Sequence, residues 1–103
     1  MTAHLLELAR ARGLDPEGPL RFSVLLVDVA EDRAEVLFGA LEAAAFTIEA
    51  VLADPDAAHL LFVQASETRR HDEASLTARA SELALVAHAH HARIADWSVA
   101  RPR

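Results

Sequence analysis

The stretch "LRFSVLLVDVAEDRAEVLFGALEAAAF" (Leu20–Phe46) decides the fold, because the spacing of its apolar residues changes partway along it. Leu20–Val29 is rich in β-branched and aromatic residues and largely apolar on both faces, which is typical of a central strand. Strict alternation places Phe22, Val24, Leu26 and Asp28 on one of those faces. From Glu31 onward the apolar residues recur every three or four positions, which predicts an amphipathic helix that ends at Phe46.

The flanking sequence supplies the remaining elements. Thr2–Arg12 has a helical pattern that Gly13 and two prolines stop. Two strand candidates, Thr47–Asp54 and His59–Glu67, flank the turn sequence "DPDAA". A second long helix begins at Asp72, a plausible N-cap residue, and the strand "RIADWSVA" (Arg93–Ala100) precedes Pro102.

The order after the first helix is β-α-β-β-α-β, which indicates an α+β fold of the ferredoxin-like type. We expect a four-stranded antiparallel sheet with two helices on one face, preceded by a short N-terminal helix. The chain shows no linker or low-complexity tract, so residues 1–103 are interpreted as a single domain.

Composition excludes several classes of protein. Lysine is absent and the net charge is −6, so no basic field favours direct binding of nucleic acid. No stretch approaches the roughly 20 apolar residues that cross a bilayer. Cysteine is absent too, which removes thiolate chemistry and disulfides. We therefore expect a soluble, cytoplasmic protein that contacts neither membrane nor nucleic acid.

The stretch "VAHAHHARIADWSV" (Val86–Val99) contains three histidines, His88, His90 and His91, and the only tryptophan. If the helix continues through His91, then His88 and His91 share a face and could offer two ligands to a metal ion, although a stable site needs three or four. Alternatively, the histidines lie at a helix end, where they interact favourably with the dipole and the free carbonyls. We favour the helix end and predict no metal and no cofactor.

Other candidate groups have structural interpretations as well. The acid pairs Asp54 with Asp56 and Glu31 with Asp32 lie in turns or first helical turns, where acids are preferred. No serine has the context of a nucleophile elbow, and no glycine loop could cradle a phosphate. The basic run Arg69–His71 could contact an anion, but its acidic neighbours favour a solvated loop. The sequence thus predicts a protein that is not an enzyme.

Two segments carry a family resemblance. "LLELARARGLDPEGPLRFSVLLV" and the later "ADWSV" resemble the leading helix, turn and first strand, and the Asp-Gly-Trp element, of the regulator of ribonuclease activity B family (RraB-like domains). The resemblance covers about Leu5–Val99, with Asp96 standing where the family usually has glycine. It implies a non-catalytic protein that binds and inhibits an endoribonuclease of the ribonuclease E type.

We expect such a partner to contact an acidic face formed by Glu31, Asp32, Glu35 and Glu42, and Trp97 if its side chain is exposed. In a strand, a lone tryptophan is more often part of the core. The alternative function is a homodimeric, ACT-like domain that binds a small molecule. Such domains use a glycine-bearing turn after the first strand, which "VDVAEDRA" lacks, whereas the apolar segment "TIEAVLAD" could pair with its own copy.

Overall fold

The computed structural model describes residues 3–103, with side chains from residue 4 onward. In chain order, the elements are helix α1 (Ala3–Ala11), strand β1 (Leu20–Ala30), a 3-10 turn (Glu31–Arg33), α2 (Ala34–Ala43), β2 (Thr47–Ala53), β3 (Leu60–Arg69), α3 (Glu73–Ala89) and β4 (Arg93–Ala100). Thr2, the predicted first residue of the N-terminal helix, lies outside the described residues. The α+β class is confirmed.

The four strands form one sheet in the order β2-β3-β1-β4, and every neighbouring pair is antiparallel. The predicted central position of β1 is confirmed, since this strand pairs with β3 on one side and with β4 on the other. β2 and β4 form the two opposite edges. The two edge strands therefore border different parts of the surface.

All three helices contribute to a core on one face of the sheet. Leu37 and Leu41 of α2 belong to a buried cluster with Val24 and Leu26. A second cluster joins α1 to the other end of the same strand face; it contains Leu5, Ala9, Leu20, Phe22, Leu76 and Val99. The sequence predicts two helices on this face, and α1 is a third. Alternate β1 residues such as Arg21 and Leu25 belong to neither cluster, so we call their side of the sheet the open face.

A β-bulge in β1 corrects the predicted alternation. The register shifts between Leu26 and Val29, and Asp28 has a left-handed φ of 59°. Because the bulge adds one residue, Val29 rather than Asp28 takes the buried position. Asp28 is exposed and accepts a hydrogen bond from Arg93 Nε at 3.2 Å.

Each helix ends in a Schellman motif, in which a backbone N–H beyond the helix donates a hydrogen bond to a carbonyl group of the last turn. The closing bonds run from Leu14 N to Ala9 O (2.8 Å), from Phe46 N to Leu41 O (2.9 Å) and from Ala92 N to Ala87 O (2.9 Å). The left-handed residues are Gly13, Ala45 and His91, with φ of 75°, 68° and 59°. The prediction that α2 reaches Phe46 is therefore wrong, and α3 does not continue through His91, which was the condition for a His88–His91 metal pair.

The start of α3 agrees with the prediction. Asp72 is the N-cap residue, and its Oδ1 accepts a hydrogen bond from Ser75 N at 2.7 Å. Asp72 N in turn donates to Ser75 Oγ at 3.1 Å, which completes a reciprocal capping box. Across residues 3–103, no helix is both long and apolar enough to cross a membrane.

A polar network lies inside the core and connects three elements. Arg79 of α3 is 7 % exposed and donates from Nε to the Glu67 carboxylate of β3 at 2.8 Å. Its Nη2 donates to the carbonyl of Ala44 at the end of α2, and the guanidinium lies 4.4 Å from the centre of the Phe46 ring. Burial by itself lowers the pKa of Arg79, but hydrogen bonds to Glu67 and Glu82 outweigh it and raise the pKa. The guanidinium is therefore charged.

Candidate partner-binding site

An apolar groove lies between α1, α3 and the edge strand β4. It has a volume of about 950 Å³. Most of its lining is contributed by small or apolar side chains of the two helices and by β4; these residues are His4, Leu5, Glu7, Leu8, Ala11, Thr77, Ala80, Ser81, Ala84 and Ile94–Trp97. Helices α1 and α3 are far apart in the sequence, so the groove is visible only in the folded structure.

Trp97 forms part of the groove and also contacts the core. It lies opposite Val24 of β1, on the helix-facing side of the sheet, and packs against both buried clusters. The indole is only partly buried, so one part of it supports the core while another part is accessible from the groove. This position combines the two interpretations that the sequence allows for Trp97, core residue and binding residue.

A bulge in β4 sets the position of Trp97. Asp96 pairs with Leu25 and Ile94 pairs with Leu26, so Ala95 is the extra residue. Asp96 Oδ1 accepts a hydrogen bond from Trp97 N at 2.9 Å. Asp96 is not among the residues with positive φ, so the backbone here does not require the glycine that the family usually has.

The charged groups of the groove are acidic. Glu7 has a side chain that is 74 % exposed and lies 3.8 Å from His4, and Asp96 is exposed at the other side. No arginine is found among the groove residues. An apolar channel with acidic rims is complementary to an apolar segment that carries basic residues at its edges.

The predicted acidic residues lie elsewhere. Glu31 and Asp32 are in the 3-10 turn and Glu35 and Glu42 are in α2; all four are exposed. Glu31 Oε2 lies 3.5 Å from His59 Nδ1. The helix α2 contacts β2, whereas α1 and α3 contact β4. The four acids therefore lie along the segment that borders edge strand β2, whereas Trp97 lies in the opposite edge strand, β4.

The histidine cluster is at the end of α3. His88 lies in the last turn, His90 is the C-cap residue and His91 follows in the left-handed conformation. Because the helix ends before His91, His88 and His91 do not share a helical face. The two side chains therefore lack the arrangement in which they could bind one metal ion as a pair. Within residues 3–103, no group of three or more histidine and acidic side chains is arranged to hold a metal ion.

His71 differs from the predicted solvated loop, because it is only 5 % exposed. Its Nε2 lies 3.3 Å from Glu67 Oε2, and its Nδ1 lies 2.9 Å from Ser75 Oγ. The contacts run from serine to histidine to glutamate as in a hydrolase triad, but with the two ring nitrogens exchanged. However, Ser75 is the third residue of α3 and its hydroxyl belongs to the capping box, so the arrangement serves to join α3 to β3.

Comparison with known proteins supports a regulatory role. The family model described as "Regulator of ribonuclease activity B" matches residues 1–99. A search of curated proteins finds no match to the chain. The matched segment contains every helix and strand except the last residue of β4.

Proposed function

The chain belongs to the regulator of ribonuclease activity B family, and from this premise we propose that it binds an endoribonuclease of the ribonuclease E type and inhibits it without being an enzyme itself. The family match over residues 1–99 carries the proposal. It also favours this function over the ACT-like alternative. The proposed functional unit is the single domain of residues 1–103.

We propose that the partner docks in the groove between α1, α3 and β4. Partly exposed aromatic side chains in apolar depressions are frequent centres of binding energy, and Trp97 is such a residue. The partner segment that fits is amphipathic, with apolar side chains for the groove and arginine or lysine for Glu7 and Asp96. Such an amphipathic segment belongs to a polypeptide and not to a nucleic acid or a lipid surface. The protein would therefore act on RNA only through its partner.

The acidic surface of Glu31, Asp32, Glu35 and Glu42 has a separate role in the proposal. Exposed charges mainly change the rate of association and its dependence on salt, and contribute little to the energy of the bound state. We therefore expect the four acids to attract a basic region of the ribonuclease before the groove is filled. Neutralising Glu35 and Glu42 should slow association and leave the dissociation rate nearly unchanged.

Ala84 offers a direct test of the groove. It is exposed and lines the groove, so Ala84→Arg should fold normally but place a long, charged side chain where the partner binds. We expect the affinity for the purified ribonuclease to fall by more than about tenfold, or about 1.4 kcal/mol, in biolayer interferometry. Inhibition of RNA cleavage should fall in parallel.

The matched control is Leu85→Arg. Leu85 is the next residue of α3, is 72 % exposed and does not line the groove. We expect this variant to bind within about threefold of the unmodified protein, or about 0.7 kcal/mol. Equal losses in both variants would contradict the groove as the docking site, and absence of any binding by the unmodified protein would contradict the function itself.

Three further features belong to the proposal. The β-α-β-β-α-β order and the antiparallel pairing support a ferredoxin-like fold, and the absence of cysteine accords with a cytoplasmic location. The edge strand β2, with Val51 and Leu52 exposed at 42 % and 63 %, supports a homodimer formed by strand pairing. Sedimentation velocity over increasing protein concentration measures that association.

A further inference from the structure

A second polar site lies on the open face, at the end of the sheet where β1, β2 and β3 meet. The β1–β3 register places Arg21 opposite Thr68 and Ser23 opposite Ser66. On the other side of β3, Thr47 is opposite Ser66. An arginine and several hydroxyl groups therefore converge on the side of the sheet that the helical core does not use.

Arg21, Thr47, Ser66 and Thr68 line a cleft of about 450 Å³. Its charged residues are Arg21, Arg69, Arg103, Glu49 and Glu67, which together leave one positive charge. The whole chain, in contrast, has a net charge of −6. A locally positive cleft on an acidic protein is a suitable place for a small anion.

Both glutamates of the cleft already have partners. Glu49 accepts hydrogen bonds from Ser66 Oγ and from Arg103 Nη1, the latter at 2.7 Å. The hydrogen bond from Ser66 holds the pKa of Glu49 below its ordinary value against the raising effect of burial, and Arg103 lowers it further. Glu67 interacts with Arg79 in the core. Arg21 acts on Glu49 through its charge, which also lowers that pKa, but it donates no hydrogen bond to the Glu49 carboxylate.

Arg21 has unused hydrogen-bonding capacity. Its Nε is buried and has no hydrogen-bond partner among the described residues, and Arg21 forms no ion pair within 4.0 Å with them. A buried N–H of a charged group without an acceptor is unfavourable, and an arginine presents its donors in a planar fork that matches an oxyanion. Because Nε is closed to solvent, an anion in the cleft would approach the other N–H groups of the guanidinium and would offset this cost by its charge.

We propose that the cleft binds a singly charged oxyanion, either a carboxylate or a dihydrogen phosphate group, with Arg21 as the principal ligand and the Thr68 hydroxyl as a second donor. The carboxylate of Glu49 disfavours anions of higher charge, since like charges at short range repel. The ligand would therefore be a small metabolite or a single anionic group.

The side-chain Nε–Hε signal of Arg21 in a ¹⁵N-correlated NMR spectrum reports directly on this site. We expect it to shift and saturate on titration with sodium acetate or with sodium phosphate at about pH 6, with a Kd on the order of 1 mM. Sodium chloride at the same ionic strength should leave it in place. Saturation by acetate alone assigns a carboxylate, saturation by phosphate alone assigns a phosphate, and saturation by both assigns an oxyanion of either kind.

Three variants complete the test. Thr68→Val should weaken binding roughly threefold or more, and Glu49→Gln should strengthen it by a similar factor because a repelling charge is removed. The control is Arg93→Gln, which changes an exposed arginine that is already paired with Asp28 and should alter the affinity by less than about twofold. The absence of saturation with either anion, an equal response to chloride, or weaker binding by Glu49→Gln would overturn the proposal.

Discussion

Ala45 has a backbone conformation that glycine adopts at lower cost. It is the left-handed residue of the Schellman motif that ends α2, with φ of 68°. A Cβ atom in this region costs roughly 1 kcal/mol, so we expect Ala45→Gly to raise the free energy of unfolding by about 0.5–1 kcal/mol. The midpoint of urea unfolding, at an unchanged slope, measures the effect.

The control for Ala45→Gly is the same change within a helix. Ala78 is exposed in the middle of α3, where glycine should lower the free energy of unfolding by about 0.5–1 kcal/mol. Opposite signs for the two variants are expected, because one residue is left-handed and the other is right-handed. A loss of stability in both would show that the backbone of Ala45 is not the source of the cost.

Individual residues were predictable where the signal is local. Asp72 could be assigned as an N-cap residue because an aspartate directly precedes a helical pattern. His71 could not be assigned to the core, since its buried position depends on Glu67 and Phe22 in two different strands. The half-buried position of Trp97 likewise depends on α1, which is more than eighty residues away. No spacing in the sequence reports such contacts.

At the scale of elements, the capping box makes the start of α3 sensitive to acid. Hydrogen bonds from Ser75 hold the pKa of Asp72 below its ordinary value of about 3.8, against a smaller raising effect of burial. A lowered pKa means that the carboxylate stabilises the folded state above the unfolded pKa and loses this effect as the pH falls through the folded pKa. Asparagine keeps the acceptor oxygen but does not titrate in this range.

We therefore expect Asp72→Asn to have a lower melting temperature than the unmodified protein near neutral pH. The difference should shrink as the pH falls through the ordinary pKa of about 3.8 and should disappear below the folded pKa. Differential scanning calorimetry in matched buffers measures it. Glu73→Gln, which removes a charge from the same turn without affecting the cap, should show a smaller dependence on pH, and a pH-independent difference for Asp72→Asn would rule out the ionised cap.

Element types were predictable, whereas their ends were less so. The span Arg93–Ala100 of β4 agrees with the sequence prediction because a proline and a short β-rich segment define it. Helix α2 ends three residues earlier than predicted, at Ala43, and α3 ends at Ala89, before His91. Their Schellman motifs use alanine and histidine in place of glycine, so the usual stop signal is missing.

At the scale of the whole molecule, Arg79 connects α3 to β3 and to the end of α2. Arg79→Met removes the charge that compensates buried Glu67, and we expect a loss of roughly 3 kcal/mol in the free energy of unfolding. Adding Glu67→Gln should restore at least about 1 kcal/mol of that loss, since no uncompensated charge is then buried. Urea unfolding of both variants measures this coupling.

Arg93→Met is the control for this cycle. The side chain of Arg93 is 67 % exposed and pairs with Asp28 on the surface, so its removal should cost less than about 1 kcal/mol. If the loss of unfolding free energy in the double variant equals the sum of the losses in the two single variants, the interaction between Arg79 and Glu67 contributes nothing to stability. The Arg79 network could not be read from the sequence, because Arg79 and Ala44 are 35 residues apart.

The separation of the groove from the acidic surface has a consequence for assembly. The two surfaces flank opposite edges of the sheet, on a body that measures 40 × 24 × 23 Å. A ligand seated beside β4 leaves α2 uncovered, and the reverse is equally true. If both proposed contacts form, one copy of the chain would be able to tether two macromolecules or two distant stretches of one flexible polypeptide.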